Sequence, residues 1–192
     1  MDYKTARRAM IDSQLRTSGV NEPFVLERMG TVAREDFVPE SARGTAYMDR
    51  TLPLGDGRFL ASPVAHGRML AEAHPRPGER VLVVENGNGY LAELVRPIVQ
   101  SVDTVDAEAV ATGTSKAKDY DLVLVDGAIE EASKALVKAV ADNGRIVTGL
   151  MERGVSRLAV GRRSGDRLAF DTVADTNLPV LAVFNRKKEW SF

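Results

Sequence analysis

The sequence predicts an α/β fold built on a doubly wound, mostly parallel sheet. Residues 81–84 form a continuous apolar run that leads into a glycine-containing turn and then into a helical pattern from Tyr90. A second apolar run, at 121–125, is typical of a central parallel strand. Strand and helix patterns alternate in this region, and further strand patterns follow towards the C-terminus. This order predicts a mixed, mostly parallel sheet whose last strands are antiparallel.

Size and composition restrict the class of protein. A chain of 192 residues with 44% hydrophobic residues suits one domain, which we divide into a helical cap and loop, 1–60, and an α/β core, 61–192. The net charge of -1 argues against a nucleic-acid binder. No apolar run approaches the ~20 residues of a membrane span. The chain has no cysteine, which fits a cytoplasmic protein, and its two histidines, His66 and His74, lack the spacing of metal ligands.

Hydrophobic periodicity and local breakers predict the elements of the cap. Gly19 is expected to end the first helix, and Asn21 to cap the second, with Pro23 in its first turn. The predicted cap consists of helices at 4–15, from Asn21 onwards and at 41–47, a loop at 52–59, and a helix at 63–73.

The core is predicted by the same criteria. Ser164-Gly165-Asp166 is expected to form a hairpin turn. Residues 185–192 are expected to be a polar tail, in which Trp190 packs or contacts a partner. The predicted strands are 81–84, 102–105, 121–125, 144–148, 158–162, 168–173 and 180–184, and the predicted helices are 90–99 and 130–141.

Three motifs in the N-terminal half resemble those of the protein-L-isoaspartate O-methyltransferase family, in the same order and at the same spacings. They are Met10-Ile-Asp-Ser-Gln-Leu15, Arg34-Glu-Asp-Phe-Val-Pro-Glu40, and Ala46-Tyr-Met-Asp49 with Leu52-Pro-Leu-Gly55. The short bacterial members are the most similar in character. The resemblance implies a Rossmann-like methyltransferase fold of seven strands with a helical N-terminal cap. It also implies S-adenosylmethionine as the methyl donor and an isoaspartyl protein or peptide as the substrate.

The catalytic loop departs from the family pattern. In the family a serine hydroxyl lies beside the substrate carboxylate, and the matching segment here is Gly57-Arg-Phe-Leu-Ala-Ser-Pro63. Gly57 and Pro63 align the segment, so the serine position holds Ala61, whose side chain has no donor or acceptor. Ser62 falls on the neighbouring position and is the remaining candidate for a catalytic hydroxyl. Adjacent residues of an extended loop point in different directions, which argues against that exchange.

The cofactor turn has also changed. A tight strand-to-helix turn needs glycine where the backbone takes a positive φ or approaches a ligand, and Glu85 stands where the family has its first glycine. Val83 replaces the acidic residue of the strand. If a cofactor binds, the candidates are Glu85, Asn86, Gly87, Asn88, Gly89 and Asp106. Asp106 would accept hydrogen bonds from a ribose, or it simply ends its strand.

The segment after Asp106 is short. Residues 107–120 are too few for a crossover helix and a further strand, since the helical connection alone takes a dozen or more residues. We therefore expect the third strand, and one wall of the adenine pocket, to be missing or rudimentary. Strand 102–105 would then lie at the sheet edge, covered by a second copy in a homodimer or blunted by charges such as Lys116 and Lys118.

Other polar residues allow two interpretations. His66 lies near the altered loop, but a single histidine on a helix is more often structural. Tyr90 is expected to pack. Asp126-Gly127 follows a strand at the sheet edge where ligands bind in such folds, although it also matches an ordinary strand end.

Two functions follow from these departures. One is a degenerate family member without methyl transfer, retained for binding a protein or a small molecule. The other is an active S-adenosylmethionine-dependent enzyme with a remodelled pocket. Because methyl transfer depends mainly on positioning, loss of the donor pocket favours the first function.

Overall fold

The computed structural model describes residues 2–186, and its centre is a six-stranded mixed sheet. The strands are β3 (Arg80–Glu85), β4 (Ser101–Asp106), β5 (Tyr120–Ile129), β6 (Val140–Glu152), β7 (Val155–Ser164) and β8 (Arg167–Asp175). Their order across the sheet is β4-β3-β5-β6-β7-β8. The first four strands in this order are parallel, and β6, β7 and β8 pair antiparallel. The predicted mixed, mostly parallel sheet is confirmed.

The cap consists of helices and one small hairpin. Short helical turns link α1 to α2 and follow α2, and α1 begins at Asp2, whose carboxylate accepts from the amides of Lys4 and Thr5. The hairpin strands are β1 (Leu52–Gly55) and β2 (Arg58–Leu60). The helices of the chain are α1 (Tyr3–Met10), α2 (Pro23–Thr31), α3 (Pro63–Ala73), α4 (Tyr90–Val95), α5 (Ala107–Thr112) and α6 (Lys134–Ala139).

Both faces of the sheet are covered by packed side chains. Val81 and Val83 of β3 belong to the core cluster formed with the cap, α3 and α4. Leu82 and Val84 alternate with them and pack on the opposite face with α5 and α6. A strand that is buried on both faces has a continuous run of apolar residues in its sequence. The guanidinium of Arg28 in α2 donates to the carbonyl of Leu94 at 3.0 Å, which fixes the cap to α4.

No third strand follows β4. Residues 107–112 form α5, and the chain then reaches β5 through a loop, so β4 lies at the edge of the sheet. The sheet therefore has six strands where the family resemblance implied seven. The expected loss of the third strand and the edge position of 102–105 are both confirmed.

Several local predictions were wrong. The expected loop at 52–59 contains the β1–β2 hairpin, because Asp56 and Gly57 adopt positive φ angles of 51° and 72° and close a tight turn. The second helix begins after Glu22, whose side chain makes no cap, and Asn21 is not the capping residue. The segment at 41–47 is a 3₁₀ turn over Glu40–Thr45.

The segments around β5 also differ from expectation. The strand continues past Asp126 to Ile129, so α6 is shorter than the predicted helix at 130–141. Residues 180–184 form one parallel bridge, Ala128 to Val180, followed by a 3₁₀ turn. A Cβ at Gly127 would lie 2.5 Å from Cγ of Leu181, so the glycine permits this approach. The predictions for 187–192, including Trp190, lie outside the described residues.

Within residues 2–186, no helix has both the length and the apolar character needed to cross a membrane. Over the same residues, no group of three or more histidine, aspartate or glutamate side chains has a geometry that could hold a metal ion.

Candidate functional site

The turn between β3 and α4 retains the backbone form of a ligand-binding glycine turn. Gly87 and Gly89 adopt positive φ angles of 77° and 72°, which only glycine takes without strain. Gly89 is also the residue that immediately precedes α4. The first amides of a helix have no partners within the helix, and they are a favourable place for an anion.

Glu85 supplies a negative charge to this turn from within the chain. Its Oε2 accepts a hydrogen bond from the Gly89 amide at 2.5 Å. The next amide, of Tyr90, donates to Oδ1 of Asn88 at 2.9 Å. Two successive amides at the start of α4 are therefore already satisfied by side chains of the turn.

Three adjacent strands each carry a carboxylate at this edge. Glu85 of β3 is in register with Asp106 of β4, and Asp126 of β5 lies one position beyond the Val84–Val125 pair. Burial raises the pKa of Glu85 above its usual value, and the charges of Asp126 and Asp106 raise it further, against the hydrogen bond from Gly89. These carboxylates bring negative charge together at this edge, and the Arg58 guanidinium near Gly87 is an opposing positive charge.

The β1–β2 hairpin is held against the glycine turn. Nδ2 of Asn86 donates to the Gly57 carbonyl at 3.0 Å, and Nδ2 of Asn88 donates to the Phe59 carbonyl at 2.9 Å. Arg58 lies over Gly87, where an added Cβ would be 3.1 Å from its Cδ atom. The loop that bears the family's catalytic segment thus closes on the turn that bears its cofactor segment.

Ala61 and Ser62 are both buried in the loop before α3. The Ser62 hydroxyl caps α3, accepting from the Ala65 amide at 3.3 Å, and donates to Oδ1 of Asn177 at 3.1 Å. The Ala61 carbonyl accepts a hydrogen bond from the Arg34 guanidinium. The hydroxyl of Ser62 is therefore engaged in the fold and does not face an open site.

A buried polar chain links the cap to the sheet beneath this loop. Arg34 and His66 are each 0% exposed and Asp126 is 3% exposed. Nη1 of Arg34 lies 3.3 Å from Nδ1 of His66, and Nε2 of His66 lies 2.8 Å from Oδ1 of Asp126. Because a guanidinium only donates, we assign the imidazole as neutral, with its proton on Nε2.

Arg34 and Asp126, the charged residues at the two ends of this hydrogen-bonded series, have further partners. Nε of Arg34 donates to the Ala46 carbonyl at 2.7 Å, and its guanidinium lies 5.0 Å from the centre of the Tyr90 ring. Oδ2 of Asp126 accepts from Nδ2 of Asn88 at 3.2 Å. Burial alone would raise the pKa of Asp126, but hydrogen bonds from His66 and Asn88 and the charge of Arg34 lower it below its usual value.

The predicted ribose acceptor, Asp106, caps α5. Its Oδ1 accepts from the Glu108 amide at 2.8 Å, and its side chain is exposed. α5 ends at Thr112, and no strand is present between it and β5. Asp106 thus lies at the sheet edge where the sequence placed it, with one oxygen used by its own helix.

Sequence reasoning gave no role to Arg34 and treated His66 and Asp126 separately. The structure brings all three together, although they are separated by 32 and 60 positions. Arg34 belonged to a family motif and Asp126 followed an apolar strand, but neither signal indicated that the two residues would meet at His66. The glycine turn and Asp106, in contrast, meet at one edge as predicted.

The parallel strands, the glycine turn at their carboxyl edge and the helical cap define a Rossmann-like fold of the S-adenosylmethionine-dependent methyltransferase class. The model of the protein-L-isoaspartate(D-aspartate) O-methyltransferase (PCMT) family matches residues 5–116. The chain belongs to this family, as its motifs indicated. The matched region ends within the shortened segment after Asp106.

Relatives in sequence match either most of the chain or one part of it. A protein-L-isoaspartate O-methyltransferase of Roseiflexus sp. (strain RS-1) is 33% identical, with 91% of each chain covered. A protein of the same name from Aeropyrum pernix is 50% identical over 100 residues, which are 50% of this chain and 38% of the relative. A part of about half the chain is therefore more similar to the Aeropyrum protein than the whole chain is to the Roseiflexus protein.

Solved structures agree on the fold. The beta-aspartate methyltransferase (PCMT) from Plasmodium falciparum, in complex with S-adenosyl-L-homocysteine, superposes with a TM-score of 0.67 at 16% identity, covering 94% of this chain and 98% of that one. Another protein-L-isoaspartate O-methyltransferase gives a TM-score of 0.71 at 14% identity, covering 91% and 65%. At such identities the likeness concerns the fold alone.

Proposed function

We propose that this protein is a degenerate member of its family, without methyl transfer, retained for binding a protein or another small molecule. The observation that carries the proposal is the hydrogen bond from the Gly89 amide to the carboxylate of Glu85. The position at the start of α4 that suits a ligand anion is taken by the chain itself.

Charge at the sheet edge supports this conclusion. S-adenosylmethionine carries a carboxylate on its amino-acid part, and a carboxylate entering near Gly89 would meet Glu85, with Asp126 and Asp106 beside it. Like charges at short range repel, and the repulsion is stronger where the groups are partly buried. The residues of the turn therefore do not fit the methyl donor.

The catalytic loop supports the same conclusion. The hydroxyl expected to lie beside the substrate carboxylate is absent, because Ala61 occupies its position and the Ser62 hydroxyl binds Asn177 and the Ala65 amide. The side chains of Asn86 and Asn88 also hydrogen-bond the hairpin to the turn. These hydrogen bonds between the hairpin and the turn would have to break before a substrate peptide and a methyl donor could bind next to each other.

The missing third strand removes part of the adenine site. α5 follows β4 directly and is six residues long, and between residues 2 and 186 no strand lies on the outer side of β4 to form that wall. Catalysis of methyl transfer rests largely on holding donor and acceptor in line. A donor without this wall would be poorly positioned even if Glu85 moved aside.

The alternative is an active protein-L-isoaspartate O-methyltransferase with a remodelled pocket. It is favoured by Gly87 and Gly89, which keep the positive φ angles of a ligand-binding turn, and by Asp106 at the end of β4. In this case a rotation of the Glu85 side chain would free the Gly89 amide for the donor.

Isothermal titration with S-adenosylmethionine and S-adenosylhomocysteine separates the two functions. We expect no binding by the wild type, with the Roseiflexus relative as the positive control. A micromolar dissociation constant, roughly -8 kcal/mol, would contradict the proposal. A Glu85→Gly variant tests the cause. If it alone acquires micromolar affinity, Glu85 blocks the site and the missing wall matters little.

A further inference from the structure

A small cavity lined by lysines lies beside the shortened segment that follows α5. The loop at 113–119 forms one side of it, and α6 forms the other. The cavity has a volume of ≈ 300 Å³, and its cationic side chains are Lys116, Lys118, Lys134 and Lys138. We call it the lysine cavity.

The charges around the lysine cavity are of one sign. No acidic side chain lines it, and none of the four lysines forms an ion pair with any residue between 2 and 186. Lys134 and Lys138 are four positions apart on α6, a spacing at which like charges face and repel each other. Four exposed lysines therefore line one opening, and an anion bound there would offset their like charge.

A hydroxyl adds a directed donor to this cavity. Oγ of Ser115, which is half-buried in the cavity wall, accepts from the Ala117 amide at 3.1 Å, so its own hydrogen remains available to donate. Ammonium groups are point charges suited to phosphate, and about 300 Å³ is the lower end of the size range of small-molecule sites. We propose that the lysine cavity binds a small ligand through its phosphate groups.

This cavity is separate from the site of the family. It lies where the chain enters β5 at Tyr120, whereas the glycine turn follows the opposite, carboxyl end of β3. Two of its four lysines belong to the short segment after α5, where the family resemblance implied a further strand. Phosphate binding therefore does not depend on whether the protein transfers methyl groups, and its test is independent of the test with S-adenosylmethionine.

The test is isothermal titration of the full chain with tripolyphosphate in about 0.15 M salt, where long-range attraction is screened. We expect one site per chain with a dissociation constant below about 1 mM, weakened at least about tenfold in a Lys134→Gln/Lys138→Gln variant. Lys4→Gln is the matched control, since Lys4 is an exposed lysine on α1, and it should bind like the wild type. Absence of binding by the wild type, or equal weakening in the control, would overturn the proposal.

Thermal unfolding and two other probes complete the experiment. Tripolyphosphate should raise the melting temperature of the wild type and leave that of the double variant unchanged. Without ligand the double variant should melt at or above the wild type, because a repulsion has been removed. Inorganic phosphate should bind more weakly than tripolyphosphate, since it offers fewer charges. Duplex DNA that binds through these lysines more tightly than tripolyphosphate would assign the cavity to nucleic acid and refute the small-ligand proposal.

Discussion

His66 and Asp126 form a buried hydrogen bond of 2.8 Å that joins α3 to the sheet. The other nitrogen of the imidazole faces Arg34, so the histidine lies between a guanidinium and a carboxylate. A buried charge is tolerated when it is paired and its hydrogen bonds are satisfied. Through the imidazole, the positive charge of the cap and the negative charge of β5 stabilise each other.

Removing the carboxylate should therefore destabilise the whole domain. In Asp126→Asn the charge of Arg34 loses its counter-charge, and the new amide can present a donor towards Nδ2 of Asn88. We expect a loss of about 3 kcal/mol in the free energy of unfolding, the scale for leaving a buried charge uncompensated. Urea denaturation measures it. Asp166→Asn, at an exposed hairpin turn, is the control and should change stability by less than about 0.5 kcal/mol. An equal loss of stability in Asp126→Asn and Asp166→Asn would show that the buried contacts of Arg34, His66 and Asp126 do not stabilise the fold.

The stability lost in Asp126→Asn should depend on pH. The folded-state pKa of Asp126 is lowered, so its contribution is present above the unfolded value, 3.8, and is lost as the pH falls through the folded value. The stability difference between wild type and Asp126→Asn should be constant near neutral pH and shrink below about pH 4. Urea melts at a series of pH values test this. A difference that widens on acidification would contradict the assigned direction.

The contribution of Glu85 to stability should depend on pH in the opposite direction to that of Asp126. Its folded-state pKa is raised, so its contribution to stability is greatest in acid and is lost as the pH rises through the folded value. In Glu85→Gln the amide oxygen can still accept from Gly89, but without charge. We expect the variant to be more stable than the wild type at neutral pH, by no more than about 1 kcal/mol since solvent screens a half-buried group. The gain should disappear in acid, and Glu108→Gln, on the exposed side of α5, should show no such gain.

Restoring two of the altered positions, 61 and 85, should not restore methylation. Ala61→Ser returns the hydroxyl, and Glu85→Gly removes the charge and returns the glycine. Each change could contribute ~1–3 kcal/mol, the scale of one polar contact or strained backbone position. Neither rebuilds the strand missing after β4, so donor positioning would remain poor. Transfer of a labelled methyl group to an isoaspartyl peptide should stay at background in the double variant.

Two outcomes of that assay would contradict the prediction in different ways. Activity in the double variant close to that of the Roseiflexus relative would show that the missing strand matters little. Activity in the wild type would reject the degenerate assignment itself. The relative serves as the positive control in both cases.

The sequence alone determined the elements whose signals are local. The apolar runs of β3 and β5 predicted buried parallel strands, the helix at 63–73 was predicted with its observed bounds, and Ser164-Gly165-Asp166 marked the β7–β8 turn. The length of 107–120 was enough to place β4 at the edge. Periodicity, turn chemistry and chain length depend on neighbouring residues, so one sequence suffices to infer them.

Only the tertiary structure decided what each polar group contacts. The sequence showed that Glu85 carries a charge, but not that its carboxylate turns onto the Gly89 amide. It did not bring Arg34, His66 and Asp126 together, nor place the lysines of the 113–119 loop opposite those of α6. Such contacts join residues far apart in the chain, and they form only when the cap, the sheet and α6 have packed. Their geometry is therefore a property of the assembled core and not of any local pattern.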